Sequence, residues 1–262
     1  MDGSREAYAV DSFCGALFPL KDRAMTIRFR WCPWVLVLVL LVPGRAAANP
    51  DWDHTFSIVA RDPGNGALGA AVSTARLAVG NRVLFVEHNV GAIATQANTN
   101  MTLGIDGLQR LRGGATAQEA LDGALQADER RETRQLAVID AQGNRAAFTG
   151  SEPQEFKGHI IGKDCIVAGN ILVGRETLEA MVQAFEATSG TLAGRVMAAL
   201  EAGQRAGGDR RGRISAAIVV LNEGASTDSY ARNIDLRVDN SKDPVAELRA
   251  LYDAYRTAFR IR

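Results

Sequence analysis

The chain has 262 residues, of which 30 are basic and 30 acidic, so its net charge is zero and it carries no electrostatic footprint for nucleic acid or an anionic membrane surface. Hydrophobic residues make up 47% and there are 26 glycines, the composition of a globular protein with a real core and many tight turns.

In chain order the first segment reads as a leader. Residues 25–48, "MTIRFRWCPWVLVLVLLVPGRAAA", place Arg28 and Arg30 before an apolar run at 35–42 and end in Ala46-Ala47-Ala48. A basic stretch, a short apolar core and a small-residue cleavage site make a secretory signal peptide. A membrane-spanning helix takes about 20 apolar residues, so no stable membrane span is expected. Residues 1–24 show no pattern, and Met25 is the expected start. Cys32 lacks the small residues that precede a lipidated cysteine. Residues 1–48 are therefore read as leader and 49–262 as a single exported domain, periplasmic or secreted. Only Cys165 remains after the leader, which excludes an intrachain disulfide and suits a small buried side chain.

Residues 55–61 and 67–73 alternate as strands around Pro63-Gly64-Asn65-Gly66, a hairpin signal. Residues 82–87 and 91–96 form a second pair, turned at His88-Asn89. A helix follows with Ile105, Leu108 and Leu111 repeating by three. Thr116 caps another, with Ala120, Leu121, Ala124 and Leu125 on one face. Strands return at 135–140, 145–149, 157–161 and 165–173. Two more helices carry the stripes Leu178, Met181, Val182, Phe185 and Leu192, Val196, Leu200. Residues 213–221 and 234–238 read as strands. Asp243-Pro244 then opens a last helix with Val245, Leu248, Leu251, Tyr252, Tyr255 and Phe259, a stripe suited to the core or to a homodimer surface. Hairpin-joined strands favour antiparallel sheets, and helix pairs between them must cover outer faces. The expected fold is α+β, a four-layer αββα sandwich of two antiparallel sheets.

Several motifs fail on context. "GNGALG" matches a dinucleotide loop but joins two strands, with no helix after it. "GHIIGKD" is one residue short of a phosphate loop. His54, His88 and His159 show no metal-ligand spacing, and there is no G-x-S-x-G. No metal or cofactor is expected.

Three polar clusters interrupt apolar strands. In "ATQANTN", Gln96, Asn98 and Asn100 alternate and would share one face of an extended segment. Such a row either orients a substrate and an oxyanion or ends the strand and caps the next helix. In "VAGNILVG", Asn170 stands alone in an apolar strand, where a buried amide needs partners whether or not it is catalytic. In "AGGDRRGRIS", Asp209 and Arg211 precede a buried strand. They form either a solvated loop or a carboxylate-binding mouth.

"TFSIVARDP", "ATQANTN", "AGN" and "GGDRRGRISA" stand in order over about residues 55–251, nearly the whole mature chain. On these motifs the chain resembles the bacterial domain-of-unknown-function family 1028. That family is placed by fold among the N-terminal nucleophile hydrolases. The resemblance implies the same αββα sandwich. It also implies a nucleophile at the first residue of the first strand, with its own α-amine as base. Thr55 takes that position, aligned with relatives that begin Met-Thr-Phe-Ser, where loss of Met exposes the threonine. A free α-amine has a pKa of about 7.7–8.0 and accepts a hydroxyl proton near neutral pH. This chain departs from that case, because cleavage after Ala48 leaves residues 49–54 before Thr55 and a second cut is needed. Without it Thr55 is a β-branched strand residue.

The expectation is an exported hydrolase of a small polar amide or peptide-like substrate. Thr55, Gln96 and Asn170 would be catalytic, and Asn98, Asn100, Asp209 and Arg211 would bind substrate. The alternatives are a non-catalytic binding protein on the same fold, and a different hydrolase using Cys165 or Ser215.

Overall fold

Two glycine-turned hairpin strands start the fold, Thr55–Arg61 (β2) and Leu68–Thr74 (β3), paired antiparallel with Thr55 opposite Thr74. Their turn ends at Gly66, whose φ of 74° is left-handed and favours glycine. The structure, a computed structural model, describes residues 52, 53, 55–221 and 234–259; the expected leader lies outside them.

β2 and β3 lie at the centre of a six-stranded sheet. It also holds Gly158–Ile161 (β8), Cys165–Gly169 (β9), Ser215–Leu221 (β10) and Ile234–Val238 (β11), in the order β11-β10-β3-β2-β9-β8. The five-stranded sheet contains Trp52–Asp53 (β1), Leu84–Glu87 (β4), Gly91–Asn98 (β5), Arg134–Asp140 (β6) and Arg145–Thr149 (β7). Its order is β1-β5-β6-β7, with β4 also on β5, and the pairings in both sheets are antiparallel.

Period-two alternation sorts each strand's side chains between two cores. Ile93, Leu136 and Val138 point outward from the five-stranded sheet. There they meet Leu103 and Leu111 of Met101–Arg112 (α1) and Leu121 of Ala117–Gln126 (α2). Phe56, Ile58 and Ile218 leave the other sheet toward Glu176–Ala187 (α3), Leu192–Arg205 (α4) and Pro244–Phe259 (α5). The alternate residues Val59, Val72, Ala94, Ile139, Ile166 and Ala217 form a third core shared by the two sheets.

The helices start where side chains cap them. Thr116 and Glu119 form a capping box on α2, and Thr191 accepts from Gly194 N on α4. The expected stripe of α1 is displaced: Ile105 is 57% exposed, while Leu103, Gly104, Gly107 and Leu111 are buried. A Cβ on Gly104 would sit 2.3 Å from the Phe85 ring, so the helix lies close on β4 and β5 through its glycines. On α5 the buried residues are Pro244, Val245, Leu248 and Tyr252, whereas Leu251 and Phe259 are exposed.

Several strand limits differ from the expectation by one to four residues. β5 continues through Asn98, β4 begins at Leu84, and β9 stops at Gly169 rather than 173. β9 ends there because Ile171 turns left-handed, at φ 50°. The strand β1 was not expected.

Candidate functional site

The space between the sheets changes character along its length. Around Val59, Val72 and Ala94 it is apolar. Two residues further toward one end, the same alternation places polar side chains in it: Ser57 and then Thr55 on β2, Thr74 on β3, Gln96 on β5, Gln135 on β6 and Ser215 on β10. All six are buried, with at most 1% exposure. A buried polar layer persists only if its hydrogen bonds are met, so its connections define the site.

Asn170 lies just past β9, not inside it, and is fully buried. Its backbone N–H donates to Thr55 O at 3.0 Å, which fixes it beside the threonine. Its Nδ2 crosses to the other sheet and donates to Gln135 Oε1 at 2.7 Å. Gln96 Nε2 donates to the same Oε1 at 3.0 Å, and Ser57 Oγ donates to Gln96 Oε1 at 2.6 Å. Gln135 Nε2 lies 2.8 Å from Gly169 O, 3.1 Å from Gly158 O and 3.2 Å from Thr149 Oγ1. Thr149 Oγ1 meets His159 Nδ1 at 2.9 Å. Burial lowers the His159 pKa from its ordinary value. Asn170 Oδ1 and Asn98 Nδ2 are among the buried atoms without a partner.

Two of the four described non-glycine residues with left-handed φ flank the same residues. Ala97, between Gln96 and Asn98, has φ 71°, and Ile171, after Asn170, has φ 50°. Neither is a glycine, so each conformation is held by its surroundings. Ile171 is held by Ile171 N donating to Gln154 O and by Arg210 N donating to Ile171 O. On β5, Ala97 and Asn98 pair with Asp53 and Trp52, the strand directly preceding the Thr55 segment.

The structure brings together Thr55, Gln96 and Asn170, and it separates others from them. Asn100 does not continue the row of amides. It is the N-cap of α1, accepting from Thr102 N, and its Nδ2 donates to Asp128 Oδ2. The turn of the chain at Ala97 and the start of the helix break the alternation that the sequence suggested. Asp209 is buried, and its carboxylate accepts from Ala75 N and from the Arg211 guanidinium at 2.6 Å. This pair clamps the chain after β3, and each charge is used internally. Cys165 lies in the core under α3 and α4, and burial, with Glu186 nearby, pushes its thiol up to about 12. A buried thiol raised in this way disfavours the thiolate near neutral pH. Ser215 Oγ donates to Arg76 O and accepts from Val79 N, a loop-holding role.

Gln135, Ser57 and Thr74 are members of the layer that the sequence reading did not single out. The signal for Gln135 was present: a polar residue on the inward phase of an apolar strand, with Ala137 and Ile139 beyond it. A cavity of about 670 Å³ opens at the other end of β2, lined by Asp62, Asn65, Thr191 and Arg249 among others. It lies roughly 20 Å of strand away and contains none of these residues. Among the described residues no three His, Cys, Asp or Glu side chains gather as a metal site, and no helix is long and apolar enough to cross a membrane.

Fold and site together define a mixed α+β protein with two antiparallel sheets and, among the described residues, five α-helices, holding a buried polar layer at one end of the space between the sheets. The chain belongs to the family described as "Family of unknown function (DUF1028)", which it matches over residues 55–248. It is similar to the crystal structure of a Silicibacter pomeroyi protein of that family, SPO2555. The two are 38% identical over 78% of this chain and 86% of that one, with a TM-score of 0.71. It also matches Anbu (ancestral beta-subunit) from Yersinia bercovieri at 11% identity over 78% of this chain and 95% of that one, with a TM-score of 0.36. No curated protein matches the chain.

Proposed function

We propose that the protein is an exported amide-bond hydrolase of the N-terminal nucleophile type, on a four-layer αββα sandwich, with Thr55 as nucleophile. The observation that carries this reading is the convergence of a buried polar layer on the first residue of β2, beside Asn170. In the active form the chain begins at Thr55. Its α-amine takes the hydroxyl proton as Oγ1 attacks the substrate carbonyl, and the amine leaving group departs with that proton. Water then cleaves the resulting ester and restores Thr55. In this reading the developing oxyanion is held by Asn98 Nδ2, a buried donor without a partner. The substrate is a small polar amide or peptide-like molecule, and no cofactor takes part.

The test pairs N-terminal mass with turnover on a panel of amides. Turnover should track the fraction of protein that begins at Thr55. Thr55→Ala should abolish it, and Thr55→Ser should keep part of it. Robust turnover by protein whose only N-terminus is Asn49 would remove the amine-base mechanism.

A second reading is a non-catalytic binding protein of the periplasm or cell surface. The pairing of Trp52 and Asp53 with β5 favours it, because a chain held there keeps Thr55 internal and without an α-amine. Mature protein that retains residues 49–54 and hydrolyses nothing would establish this alternative.

A further inference from the structure

We propose that Gln135 is a positioning residue that fixes which atom Asn170 presents beside Thr55: its carbonyl oxygen, an acceptor for an N–H group. The geometry stands on hydrogen bonds alone, and the catalytic consequence rests on the hydrolase reading.

Gln135 is fully buried. One end of its amide lies 2.8 Å from Gly169 O and 3.1 Å from Gly158 O. Backbone carbonyl oxygens only accept, so that end must be the NH2 group; exchanging the ends would set oxygen against oxygen. The other end is therefore an acceptor, and two neighbouring amides must turn their NH2 groups to it. Gln96 does so at 3.0 Å, which leaves its Oε1 to face Ser57 Oγ. Asn170 does so at 2.7 Å, which leaves its Oδ1 buried and without a partner. The orientations propagate outward from two peptide carbonyls that cannot change role.

A buried acceptor without a donor is costly. The N–H of an amide substrate, or the α-amine exposed at Thr55, relieves that cost, and an ester oxygen in the same place does not. The site therefore favours amides over esters of the same acyl group.

Two variants of the full chain test this. Gln135→Glu keeps the shape. While protonated it donates to Gly169 O and still accepts from Asn170; burial raises its pKa, and once ionised it can only repel the two carbonyls. Gln135→Met removes both functions. The Asn170 side-chain NH2, identified by its loss in Asn170→Asp, is followed by NMR hydrogen exchange at about pH 5 and about pH 9, on either side of the raised pKa. Wild type should stay protected at both values, which also reports what His159, joined to the network through Thr149, contributes. Gln135→Glu should match wild type at the lower pH and exchange about tenfold faster or more at the higher one. Its kcat/KM on N-acyl amides, taken relative to wild type so that titration of the α-amine cancels, should fall over the same range. Protection equal to wild type in Gln135→Glu at the higher pH, or in folded Gln135→Met, overturns the proposal. If Gln135→Met does not fold, the Glu variant decides alone. Absence of turnover by wild type removes the hydrolase reading, and the exchange measurement still decides the role of Gln135.

Discussion

Two side chains set how the protein responds to its medium. Cys165 is buried with its thiol pushed up to about 12, so native protein should resist alkylation at mildly alkaline pH and react only on unfolding. Rapid labelling of folded protein would contradict its place in the core. Cys165→Ala should keep any turnover and cost about 1 kcal/mol. His159 has a folded pKa below its ordinary 6.5, because burial disfavours the imidazolium. The unfolded chain then binds the proton more readily, so stability is complete above 6.5 and is lost as pH falls through the folded value. Urea midpoints measured across that window should drop for wild type and stay flatter for His159→Gln. Equal slopes would show that another group carries the titration. At this scale the sequence showed Thr55 and Asn170 as candidates but not what they touch. Gln135 sits 39 residues beyond Gln96 and 35 before Asn170, separations across which no local pattern acts.

At the scale of elements, α1 shows what hydropathy can and cannot reveal. Ile105 and Leu108 suggested one face, but the helix packs through Gly104 and Gly107, which carry no hydrophobic signal. Gly104→Ala should gain about 1 kcal/mol of helix propensity and lose about 1–3 kcal/mol from overpacking on Phe85, a net destabilisation. Gly123→Ala on α2 is the contrast. Its Cβ would meet the tip of the Arg110 side chain, which can move, so the propensity gain should prevail. Thermal melts of the two variants that shift in the same direction would refute this account. The hairpin pairs, the Thr116 cap of α2 and the stripes of α3 and α4 were legible because each is a local pattern. The end of β9 was not, since Ile171 is held left-handed by contacts with Gln154 and Arg210, which no local pattern predicts.

At the scale of the whole molecule, the strands β2 and β3 have partners on both edges and a core on both faces. Their amides should exchange most slowly, with β8 and β11, at the edges of the same sheet, opening first. Uniform exchange across the sheet would argue against that hierarchy. The sequence conveyed the antiparallel, two-sheet character through its hairpins, but not that one end of the shared space is polar, because that requires the register of five strands at once. The shared hydrogen bonding of that layer has a consequence in descent. Replacing Ser57, Gln96 or Gln135 alone strands a buried donor or acceptor, so each single substitution out of the set is costly. Among related chains these three positions should be inherited as one unit, changing together or not at all, while the apolar half of the same space drifts freely among residues of similar volume.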